Sequence, residues 1–346
     1  MSKKSKGQYY TTNCTYILDG FKELLPSDMQ HVVEPFAGQG DLIQWIYGIS
    51  SNIRVEAYDI EPKNDNIIER DTLKNVPDYN DKWVITNPPY LARNKNTDKE
   101  IYDMYNTNDL YKCFIKSLVA SECCGGILII PAGFFFSPRQ VDAVCRDAFM
   151  KKFKILRVRY FEETVFNDTP TTIVALVFQL ADEPLYAQNV EWYMLPSDEK
   201  RVFNMSSQQN WIIGGDIYFL SANQNNIKIR RYVVGQTLKD KEQQTYMTLN
   251  ALDNGTQTGR ISLKYQEGYV YPAKDCSRSY ATLCITGKTL SSEEQQTLCT
   301  RFNEFIEAKR KDTHSLFLPQ YRESKEYARK RIPFELAYHI IAHLIA

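Results

Sequence analysis

The sequence predicts an α/β protein built on an open, doubly wound parallel sheet, followed by a second region of different character. Three observations carry that expectation. Short apolar, β-branched runs alternate with helix-like stretches over the first 180 residues. A strand-like run at 31–34 leads through a glycine turn into an apolar stretch, and the run at 83–86 stops at Asn87-Pro88-Pro89-Tyr90. Ligands in open α/β sheets bind at the carboxyl ends of the strands, so the residues that end each run are the candidates for chemistry.

In chain order, His31-Val32-Val33-Glu34 reads as a strand, Pro35-Phe36-Ala37-Gly38-Gln39-Gly40 as a tight turn, and Leu42 to Ile49 as a helix. Glycine lets the backbone approach a ligand closely. Only a Gly38-x-Gly40 pair is present, so the three-glycine pyrophosphate signature is incomplete, which argues against a dinucleotide. The second strand, 55–59, ends at Tyr58-Asp59-Ile60-Glu61-Pro62, with Asp59 21 positions after Gly38. That is near the spacing at which an acidic residue meets ribose hydroxyls; Glu61 competes for the role. Arg70-Asp71-Thr72 is a third acidic end, where an aspartate also suits a helix cap.

The strand at 83–86, Trp-Val-Ile-Thr, is apolar as a buried parallel strand should be. Asn87 Oδ1 and the Pro88 carbonyl can accept both N–H bonds of a planar amine, with Tyr90 against its face. Pro88 and Pro89 fix φ, so the acceptors are set in advance. This chemistry suits a flipped-out base or a planar amide. Arg93 to Asn108 is polar and uneven and is expected to form a mobile, substrate-facing loop. Further strands are expected at 126–130, 155–161 and 172–180.

The chain resembles S-adenosylmethionine-dependent amino-methylating DNA methyltransferases, specifically the N6-adenine enzymes of the gamma arrangement found in restriction–modification systems. Gly7-Gln8-Tyr9-Tyr10-Thr11 is similar to the family's N-terminal Gly-Gln-Tyr-Phe-Thr-Pro, with Tyr10 for Phe and Thr12 for Pro. Asn108-Asp109-Leu110-Tyr111 fits the motif after the catalytic loop, and Val165-Phe166-Asn167-Asp168-Thr169 the aromatic motif near the domain's end. The matches span residues 7 to about 180, roughly half the chain.

The resemblance implies a Rossmann-like, seven-stranded methyltransferase sheet closed by an antiparallel strand at 172–180. A catalytic domain over 1–180 would precede an α+β target-recognition domain over 181–346. It further implies S-adenosyl-L-methionine as cofactor and double-stranded DNA as substrate. Asn87, Pro88, Pro89 and Tyr90 would be catalytic, with Phe166 covering the other face of a flipped base. Glu34 would meet the methionine ammonium, Tyr10, Thr11 and neighbouring backbone the carboxylate, and Asp59 the ribose. Asp71 would take the cofactor's adenine, while Phe36, Gly38, Gly40, Ile60, Thr72 and the Asn87-Pro88 edge pack around it. N4-cytosine methylation and glutamine methylation of release factors use similar tetrapeptides and are the alternatives. A cognate restriction endonuclease is a partner by family habit; monomer and homodimer both stay open.

Composition agrees with a large domain plus a smaller one. Formal net charge is zero, but eight Lys or Arg face three acids between Lys309 and Arg331, and Lys3, Lys4 and Lys6 form a basic arm. Such a face can neutralise phosphates, although a solvated helix face explains part of it. The eight cysteines include no Cys-x-x-Cys pair, so no metal site and reduced thiols are expected. His339 and His343 share an i, i+4 spacing without a glutamate between them, which favours a packed terminal helix over a metal site. No 18-residue apolar run occurs, so a cytoplasmic protein with no membrane partner is expected. Residues 181–290 carry short strand-like runs with a hairpin turn at Asp253-Asn254-Gly255. Ser291-Ser292-Glu293-Glu294 is a capping box opening a helix to about Lys311.

Overall fold

The computed structural model describes residues 13–166, 171–221, 226–253, 260–321 and 329–345. The N-terminal motif with Tyr10 and Thr11, the basic arm, Asn167-Asp168-Thr169 and the Asn254-Gly255 turn lie outside these residues. The chain divides into two compact units, with the division between Trp211 and Ile212.

In the first unit, β1 (His31–Glu34), β2 (Arg54–Asp59), β3 (Ile68–Glu69), β4 (Trp83–Thr86), β5 (Gly125–Pro131), β6 (Phe153–Phe161), β7 (Ile173–Leu180), β8 (Ala187–Leu195) and β9 (Glu199–Ser206) form one sheet. Their order is β3-β2-β1-β4-β5-β7-β6-β8-β9. Strands β1 to β5 run parallel to one another. The antiparallel strand expected at 172–180 is β7, and it lies between β5 and β6 instead of closing the sheet. The sheet therefore has nine strands where seven were expected. β8 runs parallel to β6, and β9 antiparallel to β8. The alternating residues Val190, Trp192 and Met194 are fully buried and commit β8 to this unit. For that reason the boundary expected after Leu180 falls inside the sheet, and the unit continues to Trp211.

Central strands are apolar on both faces because both are covered, and Val84, Ile85, Ile127, Leu128 and Ile129 have no exposure. Gly126 is required by close approach, since a Cβ there would stand 1.8 Å from the Val84 carbonyl oxygen on the neighbouring strand. Backbone cannot yield as a side chain does. Gly126→Ala is expected to destabilise the first unit by at least about 3 kcal/mol, read as a lower denaturation midpoint in urea. An unchanged midpoint would contradict the packing of β5 on β4.

The segment 93–108 is more structured than the mobile loop expected. It contains a 3-10 turn at Arg93–Lys95 and a helix at Glu100–Met104 whose Ile101 and Tyr102 are buried. Two buried side chains in five residues are enough to seat it.

The second unit pairs β10 (Lys228–Arg231), β11 (Glu242–Asn250), β13 (Ser262–Tyr265) and β14 (Tyr280–Thr286) in an antiparallel sheet ordered β10-β14-β11-β13. β12 (Leu252–Asp253), β15 (Gln320–Tyr321) and β16 (Arg329–Arg331) form a second small sheet. Helices Ser292–Thr313 and Phe334–Ile345 share a core with the larger sheet through Leu249, Leu283, Phe302 and Ile340. This is the α+β architecture expected of the region. The capping box is complete: Glu294 N–H donates to Ser291 Oγ at 3.2 Å, and Ser291 N–H donates to Glu294 Oε2 at 2.8 Å. Part of the basic run is internally neutralised, Lys309 by Asp216 and Arg310 by Asp253 and Glu307. His339 hydrogen-bonds the Leu220 carbonyl at 3.1 Å, and His343 lies 3.3 Å from Ser221 Oγ, so each ring takes its own partner. No helix among the described residues is long and apolar enough to cross a membrane.

Candidate active site

Three chain ends meet along the carboxyl edge of the parallel strands. Glu34 ends β1 and stands opposite Ala57, while Val33 stands opposite Val84, so β2 and β4 run two residues and one residue past β1 at the same edge. β6 is antiparallel to β7, which is antiparallel to β5. The segment after β6 that carries the buried Phe166 therefore leaves from this same edge.

The turn after β1 is braced from β2. Ala37 N–H donates to the Tyr58 carbonyl at 2.8 Å, and Gly38 N–H donates to Asp59 Oδ2 at 2.9 Å. Gly40, at φ +91°, turns the chain into helix Asp41–Tyr47, a conformation that favours glycine. Ala37, Ile43, Ala57 and Ile67 pack beneath the turn. The other oxygen of Asp59 accepts from Glu61 N–H at 2.8 Å. Asp59 thus shapes the loop with both oxygens, each of which keeps a further lone pair for a hydroxyl. Glu61 lends its amide, and Asp59 is the buried acid.

Glu34 is fully buried. Its Oε1 accepts from Phe36 N–H at 3.0 Å and from the Thr86 hydroxyl. Its Oε2 is buried with no hydrogen-bond partner. Burial pushes this carboxyl up to about 8; the Asp59 charge adds to the rise, and the bonds from Thr86 and Phe36 oppose it. An orphaned, buried carboxylate oxygen invites a cationic donor. Thr86 was not among the residues expected here, because a β-branched residue at a strand end reads as core.

Beyond β2, Ile60 is 52% exposed beside Asp71, and both line an open groove of about 680 Å³ with Glu69, Arg70 and Asn75. Asp71 Oδ1 accepts from Leu73 and Lys74 N–H at 3.1 and 3.2 Å, which is the capping role weighed in the sequence. Thr72 is buried and donates to the Pro35 carbonyl at 3.0 Å, so it ties this turn to the first one. Phe36 sets its ring edge-on to Phe114 at 5.3 Å.

After β4, Asn87 and Pro88 are buried, Pro89 is half-buried and Tyr90 is 7% exposed. The Tyr90 hydroxyl lies between two acceptors, Asn87 Oδ1 and the Ile129 carbonyl, the latter at 2.7 Å. Its ring meets Tyr111 edge-on at 6.2 Å. The Ile129 carbonyl is a backbone group of β5, and no side-chain pattern could have marked it.

Residues 46–166 match the family described as Eco57I restriction-modification methylase. No curated protein matches the chain. Among solved structures, the chain is similar to the modification subunit of a type I restriction enzyme from Vibrio vulnificus. That likeness has 14% identity over 56% of this chain and 49% of that one, with a TM-score of 0.45. It is also similar to the type I restriction-modification methyltransferase subunit from Streptococcus thermophilus, with 14% identity over 55% and 48% of the two chains and a TM-score of 0.42. The type IIG restriction endonuclease BpuSI is similar over 70% of this chain and 37% of its own, at 11% identity and a TM-score of 0.42. The chain thus spans about half the length or less of these structures.

The part of the first unit over residues 46–166 is similar to a restriction-modification methylase, and S-adenosylmethionine is the cofactor expected from the sequence. The residues present fit it. Glu34 Oε2 is a buried oxygen without a hydrogen-bond partner, both Asp59 oxygens take one amide each, and Ile60 with Asp71 lines the groove beyond.

Proposed function

We propose that this protein moves the methyl group of S-adenosylmethionine to N6 of an adenine flipped out of duplex DNA at a short recognition sequence. The observation that carries this reading is the placement of Asn87-Pro88-Pro89-Tyr90 next to the buried Glu34 carboxyl, whose Oε2 has no partner. Thr86, the residue before Asn87, links the two through its hydroxyl to Glu34.

The exocyclic nitrogen of adenine is a poor nucleophile because its lone pair is delocalised into the ring. Asn87 Oδ1 and the Pro88 carbonyl would accept its two N–H bonds, favour a tetrahedral nitrogen, and meet positive charge as it develops. When bound, S-adenosylmethionine supplies a sulfonium methyl as electrophile. Asn87 Oδ1 holds the Tyr90 hydroxyl in this structure, and the Ile129 carbonyl offers that hydroxyl an alternative acceptor. Tyr90 can therefore release Asn87 to an arriving amine without losing its own bond. Transfer disperses charge, so a dry aromatic edge helps and no strong base is needed before attack; the extra proton on the methylated nitrogen leaves afterwards, to water or a carbonyl. Extruding the base costs a few kcal/mol, and stacking on Tyr90 and Phe166 would offset about 1–3 kcal/mol for each ring. Tyr10 and Thr11 would hold the methionine carboxylate, with Gly38, Gly40 and Phe36 around it, and Asp71 and Thr72 would border the cofactor's adenine. The second unit would read the sequence.

The test is incubation with unmethylated genomic DNA and labelled S-adenosylmethionine, followed by single-molecule mapping of modified bases. N6-methyladenine within one short motif is the expected result. N4-methylcytosine would overturn the target atom. No label in DNA from protein that binds the cofactor would overturn the DNA reading.

A further inference from the structure

The chain leaving Tyr90 is held by the segment Asn108-Asp109-Leu110-Tyr111. Leu91 N–H donates to Asp109 Oδ1 at 3.1 Å. Its carbonyl accepts from Leu110 N–H at 3.2 Å and from the Tyr102 hydroxyl at 3.0 Å. Arg93 N–H donates to the Asn108 carbonyl at 2.9 Å, and an antiparallel bridge joins Ala92 to Asp109. Both polar groups of the Leu91 backbone are thus gripped by residues 18 and 19 positions on. Tyr111, in the same segment, is the residue whose ring stands edge-on to Tyr90.

The gripping segment is itself anchored in the interior. Lys112 Nζ donates to Asn108 Oδ1 at 2.7 Å and pairs with Asp142 of helix Gln140–Lys152; the two side chains are 7% and 5% exposed. The Ser137 hydroxyl donates to the other oxygen of Asp142. A buried pair satisfied in this way specifies one arrangement more than it adds stability. Burial pushes the Asp109 carboxyl up to about 6, and Lys112 opposes that rise, so the group is ionised at neutral pH.

We propose that Asp109 is a positioning residue: its hydrogen bond to the Leu91 amide fixes the Asn87–Tyr90 turn in the register that aims its acceptors. The inference rests on the proposed function, since it assigns the turn a reacting partner. The bland alternative is that Asp109 merely caps helix Leu110–Val119. Two substitutions separate these roles. Asp109→Ser keeps a good capping hydroxyl but is one bond too short to hold Leu91. Asp109→Asn keeps the acceptor and drops the charge.

The experiment measures hydrogen exchange of the Leu91 amide, single-turnover methyl transfer to DNA and S-adenosylmethionine affinity in all three proteins. Asp109→Ser is expected to speed Leu91 exchange and slow transfer about tenfold to a hundredfold, with cofactor affinity unchanged. Asp109→Asn is expected to stay near wild type in each. Unchanged exchange and transfer in Asp109→Ser would overturn the proposal. So would an Asp109→Asn protein as impaired as Asp109→Ser, or a parallel loss of cofactor affinity and rate. The exchange readout needs no substrate, so it tests the clamp whatever the acceptor. Failure of the wild type to methylate DNA would count against the proposed function alone.

Discussion

Asn87→Ala is expected to slow methyl transfer about a hundred- to a thousandfold, the scale set by removing one preorganised polar group from a reacting centre. Cofactor affinity should hardly change, because Glu34, Asp59 and the glycine turn remain. Structural damage should also be small. The Tyr90 hydroxyl that Asn87 accepts has the Ile129 carbonyl within 2.7 Å as its other partner. Single-turnover transfer beside calorimetric cofactor binding measures both. A variant that keeps most of the wild-type rate would remove Asn87 from the reaction, and one that loses rate and cofactor together would make it a structural residue.

Cofactor binding should release about one proton at pH 7, and Glu34 is the source. In the free protein its carboxyl is lifted from 4.5 to about 8 by burial and by the nearby Asp59 charge, so it is protonated at neutral pH. Cys14 and Tyr79 are the other titratable groups that feel its charge. Burial raises both, so each stays neutral and adds no charge beside Glu34 at neutral pH. An ammonium needs the ionised carboxylate, so affinity should climb with pH up to about 8 and then level off. The sign for stability is opposite. A folded-state value above the unfolded one gives stability that is complete below about 4.5 and lost as pH rises to about 8. The cofactor's stabilising effect should therefore grow across that interval. Calorimetry in two buffers of different ionisation enthalpy counts the proton. Equal release by wild type and Glu34→Gln would assign it elsewhere.

Much of the first unit was legible because its strands are short, apolar and bounded by turn residues. The expected runs 31–34 and 83–86 coincide with β1 and β4, and β2, β5, β6 and β7 begin or end within two residues of expectation. β3 was not legible: two residues, both exposed, carry no period. β8 shows its alternation plainly, yet nothing in its own residues names β6 as partner. Membership of a sheet is a tertiary fact, so the sheet runs on through β8 and β9 past the change of composition after Leu180. At the site, side chains that end strands could be found from position alone. Groups defined by what they touch could not: the Thr86 hydroxyl, the Ile129 carbonyl, and the two backbone amides that occupy Asp59. Asp71 illustrates the ambiguity, since a carboxylate that caps a turn and one that awaits a ligand are written with the same letter.

The two strands that follow β7 also change what the sheet offers at its margin. Without them β6 would present nine residues of unpaired backbone, Phe153–Phe161, as a template for strand addition. With them, the last strand is β9, whose Glu199, Lys200 and Arg201 are already tied into ion pairs with one another and with Glu191. A foreign strand would have to break those pairs and strip water from them to add itself there, and β3 at the opposite margin is only two residues long. The long, apolar interior strands that make the reacting edge possible are thereby kept from becoming a surface for self-association.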